Sequence, residues 1–204
     1  MVSQKQHLSD QPLLRSHILD AARSMVVRHG FDALSMRKLA EVVGYSPASL
    51  YLHFSGRDAI AHALGAEGHA RLLAALHSYD FVEDDTERLR SMGHAYVEFG
   101  LKHPEMYRLI FMQNVGYTEA IFNDAAASGE TALSLLADAL AFSSQAPAAA
   151  ETLWTALHGI VSLSLTAAKH LVTPTDVLID ATIELYLSGV KKKPVRRPPR
   201  PGAA

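Results

Sequence analysis

Eleven histidines in 204 residues prompt a test for metal or hydrolytic chemistry. A zinc site needs three or four converging ligands, and no H-E-x-x-H occurs. His62 and His69 stand seven apart, and His94 stands four before Glu98, so each pair fits one helical face, but two ligands fall short of a site. His158, Ser162 and Ser164 fall on one apolar stretch, where hydroxyls are more often packed than nucleophilic. G-x-S-x-G, P-loop and G-x-G-x-x-G patterns are missing. No cysteine is present, so thiolate catalysis, thiolate zinc sites and disulfides are excluded. The expectation is a chain without metal, cofactor or enzymatic activity.

The residues that do suggest chemistry lie between Ser35 and Arg57. Ser35 is a candidate N-cap for a short helix, 36–43, with Leu39, Ala40 and Val43 apolar and Gly44 as its stop. After Tyr45, Ser46 caps a second short helix with Pro47 at its first position, ending near His53. Two helices of these lengths across a three-residue turn have the dimensions of a helix-turn-helix. Leu50 and Phe54, four apart, attach the second helix to a core and turn Ala48, Ser49, Tyr51 and Leu52 outward. A large exposed aromatic beside small residues suits the DNA major groove, about 12 Å wide and able to admit one helix. Arg57, at the start of the next helix beside free backbone N–H groups, is a candidate phosphate clamp.

The elements that position these residues read as helical throughout, because apolar residues recur at helical spacing and strand-like alternation is nearly absent. Leu14, Ile18, Ala22, Met25 and Val26 predict a first helix over 12–29, stopped by Gly30. Ser55 and Asp58 have capping-box spacing, predicting a helix from Gly56 to about Ser78; Asp84 and Glu87 do the same for one ending near His103. Pro104 opens a helix to about Gln113, and the stretch 118–142 is expected to break near Ser128 at Gly129. Helices over 147–169 and 174–188 follow. The fold class is all-α: a three-helix head containing the helix-turn-helix, and a helical body. The expected organisation is a flexible segment 1–11, a helix-turn-helix head 12–55, a helical body 56–190, and a disordered basic, proline-rich tail 191–204.

Charge follows the same division. Residues 1–60 carry seven basic against five acidic side chains, 61–190 six against sixteen, and 191–204 six against none. A polyanion therefore meets an end of the chain and not its acidic middle. The tail reads either as an arm adding nonspecific phosphate affinity or as a solvated terminus. Neither a signal peptide nor an apolar run of spanning length is evident, so the expected location is cytoplasmic, with no membrane partner.

The block ILDAARSMVVRHGFDALSMRKLAEVVGYSPASLYLHFSGRDAIAHAL, residues 18–64, resembles the DNA-binding head of the TetR (TetR/AcrR) regulators. HPEMYRLIF (103–111) and LWTALHGIVSL (153–163) resemble the C-terminal domain named WHG, with Trp154, His158 and Gly159 at the eponymous positions. The resemblance implies phosphate contacts from Ser35, Ser49, Tyr51, His53 and Arg57, with Arg37 reaching phosphate or a base edge. Pro47, Ala48 and Leu52 would face the groove. Leu52 departs from the polar or aromatic residue expected there; an aliphatic side chain reads only a thymine methyl by direct contact. His53 has a structural alternative, bonding the backbone.

By the same resemblance the chain is a homodimeric regulator on a pseudo-palindromic double-stranded operator, most often a repressor released by a small molecule. The last two helices would form the dimer surface, although Leu157, Ile160, Val161, Leu165, Leu178, Ile179, Ile183 and Leu187 equally suit an internal core. Candidate pocket residues are Tyr96, Phe99, Tyr107, Phe111, Trp154 and His158, a mainly aromatic set that suits a largely apolar effector. Trp154 also reads as ordinary core, and His158 as either a satisfied buried histidine or a pocket donor. The alternative function is a regulator or DNA-architectural protein without any effector, whose body serves only dimerisation or partner docking.

Overall fold

The computed structural model describes residues 3–141 and 146–189. Among them are ten α-helices and no strand. The head comprises α1 (Ser3–His29), a 3-10 turn (Phe31–Ala33), α2 (Met36–Val43) and α3 (Pro47–Tyr51). Then come α4 (Arg57–His77), α5 (Asp85–Lys102), α6 (Pro104–Phe111), α7 (Val115–Ser128), α8 (Ala132–Ala139), α9 (Ala146–Thr166) and α10 (Thr175–Gly189). No helix of the described residues is long and apolar enough to cross a membrane.

The boundaries follow local chemistry. Ser35 Oγ accepts the Lys38 N–H at 3.3 Å, and Gly44 ends α2 in the left-handed region at φ 75°. Ser46 Oγ accepts the Ser49 N–H at 3.2 Å, with Pro47 opening α3. Asp84 Oδ1 accepts the Glu87 N–H at 2.8 Å ahead of α5. Gly129, at φ 90°, separates α7 from α8 where the break was expected. One boundary differs: α1 reaches back to Ser3, so residues 3–11, expected as a flexible segment, are helical. A proline inside a helix loses the bond one turn back and crowds the carbonyl there, a cost that the helix-favouring Gln11, Leu13 and Leu14 beside Pro12 partly offset. The tail 191–204 lies outside the described residues.

Packing partitions the chain differently from a head cut from a body at residue 56. One compact unit joins the residues up to 75 with 98–131; the other joins 76–97 with those from 132 onward. In the first, α1 packs on the 3-10 turn, α2 and α6, and the fully buried Ile18, Leu39, Leu50, Ile60 and Leu64 belong to its core. A cut at residue 56 would therefore strip α1 of α6. Burying a leucine such as Leu50 contributes about 1.5–3 kcal/mol, enough to hold a helix as short as α3 in place. A Cβ on Gly68 would stand 2.4 Å from Met106 Cγ, so the glycine permits the close approach of α4 to α6.

In the second unit, α8 and α10 pack on α9, and Leu89, Tyr96, Leu136, Leu153, Leu157, Val161 and Ile183 are buried. Arg90 donates to Asp180 at 3.1 Å and to Glu184 at 3.3 Å, while His94 Nε2 lies 2.9 Å from the same Asp180 oxygen. These partners, His94 foremost, hold the Asp180 carboxyl below the usual carboxylate range. His94 is thus engaged across to α10 and not with Glu98.

Candidate nucleic-acid interface

α3 is fixed from beneath and open above. Leu50 is fully buried and Phe54 nearly so, whereas Tyr51 is 54% and Leu52 82% exposed. Pro47 and Ala48 are exposed alongside them; Ser49 is half-buried, its hydroxyl 2.9 Å from that of Ser46. The outward set read from the spacing of Leu50 and Phe54 is the set that the fold presents. Arg37 projects from α2 with its side chain 87% exposed, held only by Glu41 at 3.4 Å. Such a surface pair contributes little and releases its arginine readily to a stronger anion. The Ser35 hydroxyl caps α2 yet retains a hydrogen to donate. His53 is half-buried, and its backbone N–H donates to the Leu50 carbonyl at 3.0 Å.

Arg57 has an occupation that the sequence did not reveal. Its guanidinium lies over the Phe31 ring, Cζ 4.1 Å from the centroid, and Nη2 donates to the Phe31 carbonyl at 2.9 Å. Asp32 Oδ1 is a further 3.4 Å neighbour. Cation–π attraction and a backbone bond turn this arginine inward onto the 3-10 turn, contacts that the phosphate-clamp reading did not include. Tyr45, 49% exposed in the turn between α2 and α3, is an aromatic on the same helix-turn-helix that sequence reasoning passed over. Its signal was its place, a bulky ring between Gly44 and a capping serine.

Two family models match the chain: "Bacterial regulatory proteins, tetR family" over residues 18–64, and "Tetracyclin repressor-like, C-terminal domain" over 89–186. The chain belongs to the TetR family. It is a DNA-binding transcriptional regulator, of a class that is not enzymatic. The HTH-type transcriptional regulator YobS of Bacillus subtilis is 26% identical over 180 residues, covering 87% of this chain and 93% of its own length. The HTH-type transcriptional repressor AcnR of Corynebacterium diphtheriae is 33% identical over 69 residues, 34% of this chain and 36% of its own. A solved structure of a Rhodococcus protein of unknown function superposes with a TM-score of 0.68 at 27% identity, covering 87% of this chain and 95% of that one.

Within this TetR-family chain, the six candidate pocket residues divide between the two compact units. In the second, the Trp154 indole N–H donates to the Tyr96 hydroxyl at 3.0 Å, and the Trp154 and His158 rings lie 6.4 Å apart. Tyr96 is fully buried, Trp154 and His158 half-buried, and burial pushes the His158 pKa down so that the ring is neutral near pH 7. In the first unit, Tyr107 and Phe111 pack with centroids 4.7 Å apart, Phe111 continues to Phe122 at 5.9 Å, and Phe99 lies 5.3 Å from His103. Two members of this aromatic group were missed. Phe122 of α7 closes it, and His69, 4% exposed, lies 5.7 Å from the Phe122 ring. His69 was weighed only as a metal ligand, although its place among Leu64, Gly65, Gly68 and Leu72 marks the buried face of α4. No group of three metal-ligating side chains occurs among the described residues.

Proposed function

We propose that the chain is a homodimeric repressor that binds a pseudo-palindromic operator in the cytoplasm and leaves it when a small, largely apolar effector binds its body. The observation that carries this reading is the exposed Tyr51–Leu52 edge of a helix whose other side is locked by Leu50 and Phe54. Such an edge enters a major groove as a rigid body. Ser35, Arg37, Ser49, Tyr51 and His53 take phosphate, with Arg37 also within the reach of a base edge; Pro47, Ala48 and Leu52 face the groove. The reading unit remains 12–55, and Arg57 acts on it from inside by holding the 3-10 turn.

Dimerisation is supported by what α10 leaves uncovered. Val177, Ala181 and Leu185, four apart, are exposed, as is Leu163 on α9, and Ile160, Leu165, Leu178 and Leu187 are half-buried. Leu157, Val161, Ile179 and Ile183 are buried within the subunit and belong to its own core. A two-fold pairing of these helices would cover the first set and leave the second untouched. Effector binding is supported by the half-buried Trp154 and His158, which offer a ring face and a neutral imidazole, the indole being held by the buried Tyr96.

The test combines sedimentation with fluorescence anisotropy on DNA flanking the chain's own gene, followed by release screening against metabolites. Tyr51→Ala is expected to weaken binding to all sequences about equally, because a phosphate contact positions without reading bases. A monomer at micromolar concentration, or full-strength binding by Tyr51→Ala, refutes the docking proposed here. A dimer that binds specifically but responds to no metabolite favours the effector-free regulator.

A further inference from the structure

Where α1, α4 and the corner between α5 and α6 meet, the first compact unit holds a partly open cavity of about 100 Å³. Its walls are of two kinds. Phe99 and Met106, both nearly buried, supply an apolar floor, and Val27 of α1, 61% exposed, stands at the mouth. Arg23, Arg71 and Lys102 supply cations, and the single lining carboxylate, Glu105, is bonded to Arg108. Glu67 accepts from Arg23 at 2.6 Å and from Arg71 at 2.7 Å, and Asp20 takes a third N–H from Arg23 at 2.8 Å. The Arg23 Nε–H is buried and has no acceptor. Guanidinium groups carry five N–H donors in a fixed fork, so Arg23 and Arg71 retain donors beyond those Glu67 occupies. The cavity also meets the start of α6, where Pro104 stands at the first position and His103 provides no side-chain cap. Uncapped N–H groups there add partial positive charge to the cationic wall.

We infer that this cavity is a binding site for a short-chain aliphatic monocarboxylate, its carboxylate on Arg23 and Arg71 and its alkyl chain on Phe99, Met106 and Val27. The donors of Arg23 and Arg71 that Glu67 and Asp20 leave over would give a carboxylate charge-assisted bonds. A free inorganic anion would satisfy the arginines but leave the apolar floor wet. A volume of about 100 Å³ favours a short alkyl chain over a long one. Glu67, Asp20 and Glu98 lie close enough to compete for the cations, which weakens the affinity expected. Of the six candidate effector residues Phe99 alone lines this cavity, whereas Tyr96, Trp154 and His158 do not, so the site stands apart from the Tyr96–Trp154–His158 reading above.

The probe is sodium butyrate, titrated into the full-length protein by calorimetry and by saturation-transfer NMR, with butylamine and sodium sulfate as comparisons. Saturable one-to-one binding of butyrate is expected, with butylamine silent and sulfate weaker. Arg71→Gln removes a half-exposed cation, and Val27→Trp, from a position 61% exposed, fills the mouth of the cavity. Each is expected to weaken butyrate about tenfold or more, the size of a lost charge-assisted bond or of an occluded site. Both variants are checked for an unchanged melting profile, and Trp154→Phe is expected to bind butyrate as the parent does. Absence of saturable binding, sulfate binding as tightly as butyrate, or butyrate affinity unchanged in both variants overturns the assignment. None of these readouts involves DNA, so failure of this site and failure of the operator reading are distinguishable.

Discussion

Replacing Arg57 by alanine separates the two jobs an arginine can do at the edge of a DNA-reading head. The guanidinium sits 4.1 Å above the Phe31 ring and donates to the Phe31 carbonyl at 2.9 Å. A cation–π contact contributes about 0.5–1 kcal/mol at a partly exposed site. A hydrogen bond from a charged donor contributes about 1.5–3 kcal/mol when dry. The Arg57 side chain is 37% exposed, so the lower end applies, and the 3.4 Å approach to the 92% exposed Asp32 adds almost nothing. The expected loss is about 2 kcal/mol, which for a chain of this length lowers Tm by roughly 4–8 °C. Thermal melts at fixed protein concentration measure it, and Arg57→Lys, which keeps the charge without the planar fork, is expected to recover only part. Operator titrations from low to moderate salt supply the second reading. If Arg57 acts only from inside, the slope of log K against log salt stays that of the parent. An unchanged Tm together with a slope reduced by about one unit refutes the positioning role and restores a phosphate contact.

Leu52→Ala, at a position 82% exposed, is expected to leave Tm unchanged and to relax preference at one thymine of each half-site by about 1 kcal/mol, read by competition with base-substituted operators. Trp154→Phe and Tyr96→Phe each break the 3.0 Å indole–hydroxyl bond and are expected to give dimers that bind operator normally but release poorly with effector; reduced stability with normal release reassigns the pair to plain core. The pH dependence turns on His69, whose burial holds its pKa below the ordinary value of 6.5. Below about 6.5 the unfolded chain binds a proton that the folded chain refuses, so stability falls as pH drops and levels off beneath the folded pKa, at no more than ~1.4 kcal/mol per pH unit. His69→Leu is expected to flatten that acid slope relative to the parent in melts between neutral and mildly acidic pH, with the remainder due to groups such as His158.

Ser35, Gly44, Ser46 and Pro47 were legible because each acts on backbone within four residues of itself, and a cap or left-handed stop has the same chemistry in any fold. The exposure of Tyr51 and Leu52 followed equally, once Leu50 and Phe54 were assigned to the core. The contacts of Arg57 were not legible, for the opposite reason. Its partner Phe31 lies 26 residues away, and only the tertiary path of the 3-10 turn brings ring and guanidinium together. The bond from Trp154 to Tyr96 spans 58 residues and that from Tyr117 to Asp58 spans 59, so no local pattern announces either. The extension of α1 to Ser3 was hidden by Pro12, which reads in sequence as a beginning but is tolerated here within a helix.

The first turn of α4 is where these long-range contacts converge. Arg57 grips the 3-10 turn that leads into α2, and the next residue, Asp58, accepts from the Tyr117 hydroxyl of α7 at 2.6 Å. Burial and that carboxylate raise the Tyr117 pKa, so the phenol remains a donor throughout the physiological range. Its ring stands edge-on to Phe31 at 5.7 Å, so α7 and α4 hold the same aromatic from two sides. A displacement of α7 or of α4 would therefore bear on Phe31, which sits four residues before the cap of α2. Effector coupling in regulators amounts to about 1–3 kcal/mol, the size of one or two charge-assisted contacts. A switch confined to the Arg57–Phe31–Tyr117–Asp58 cluster would thus be large enough to alter operator affinity, without any wider rearrangement of the reading head.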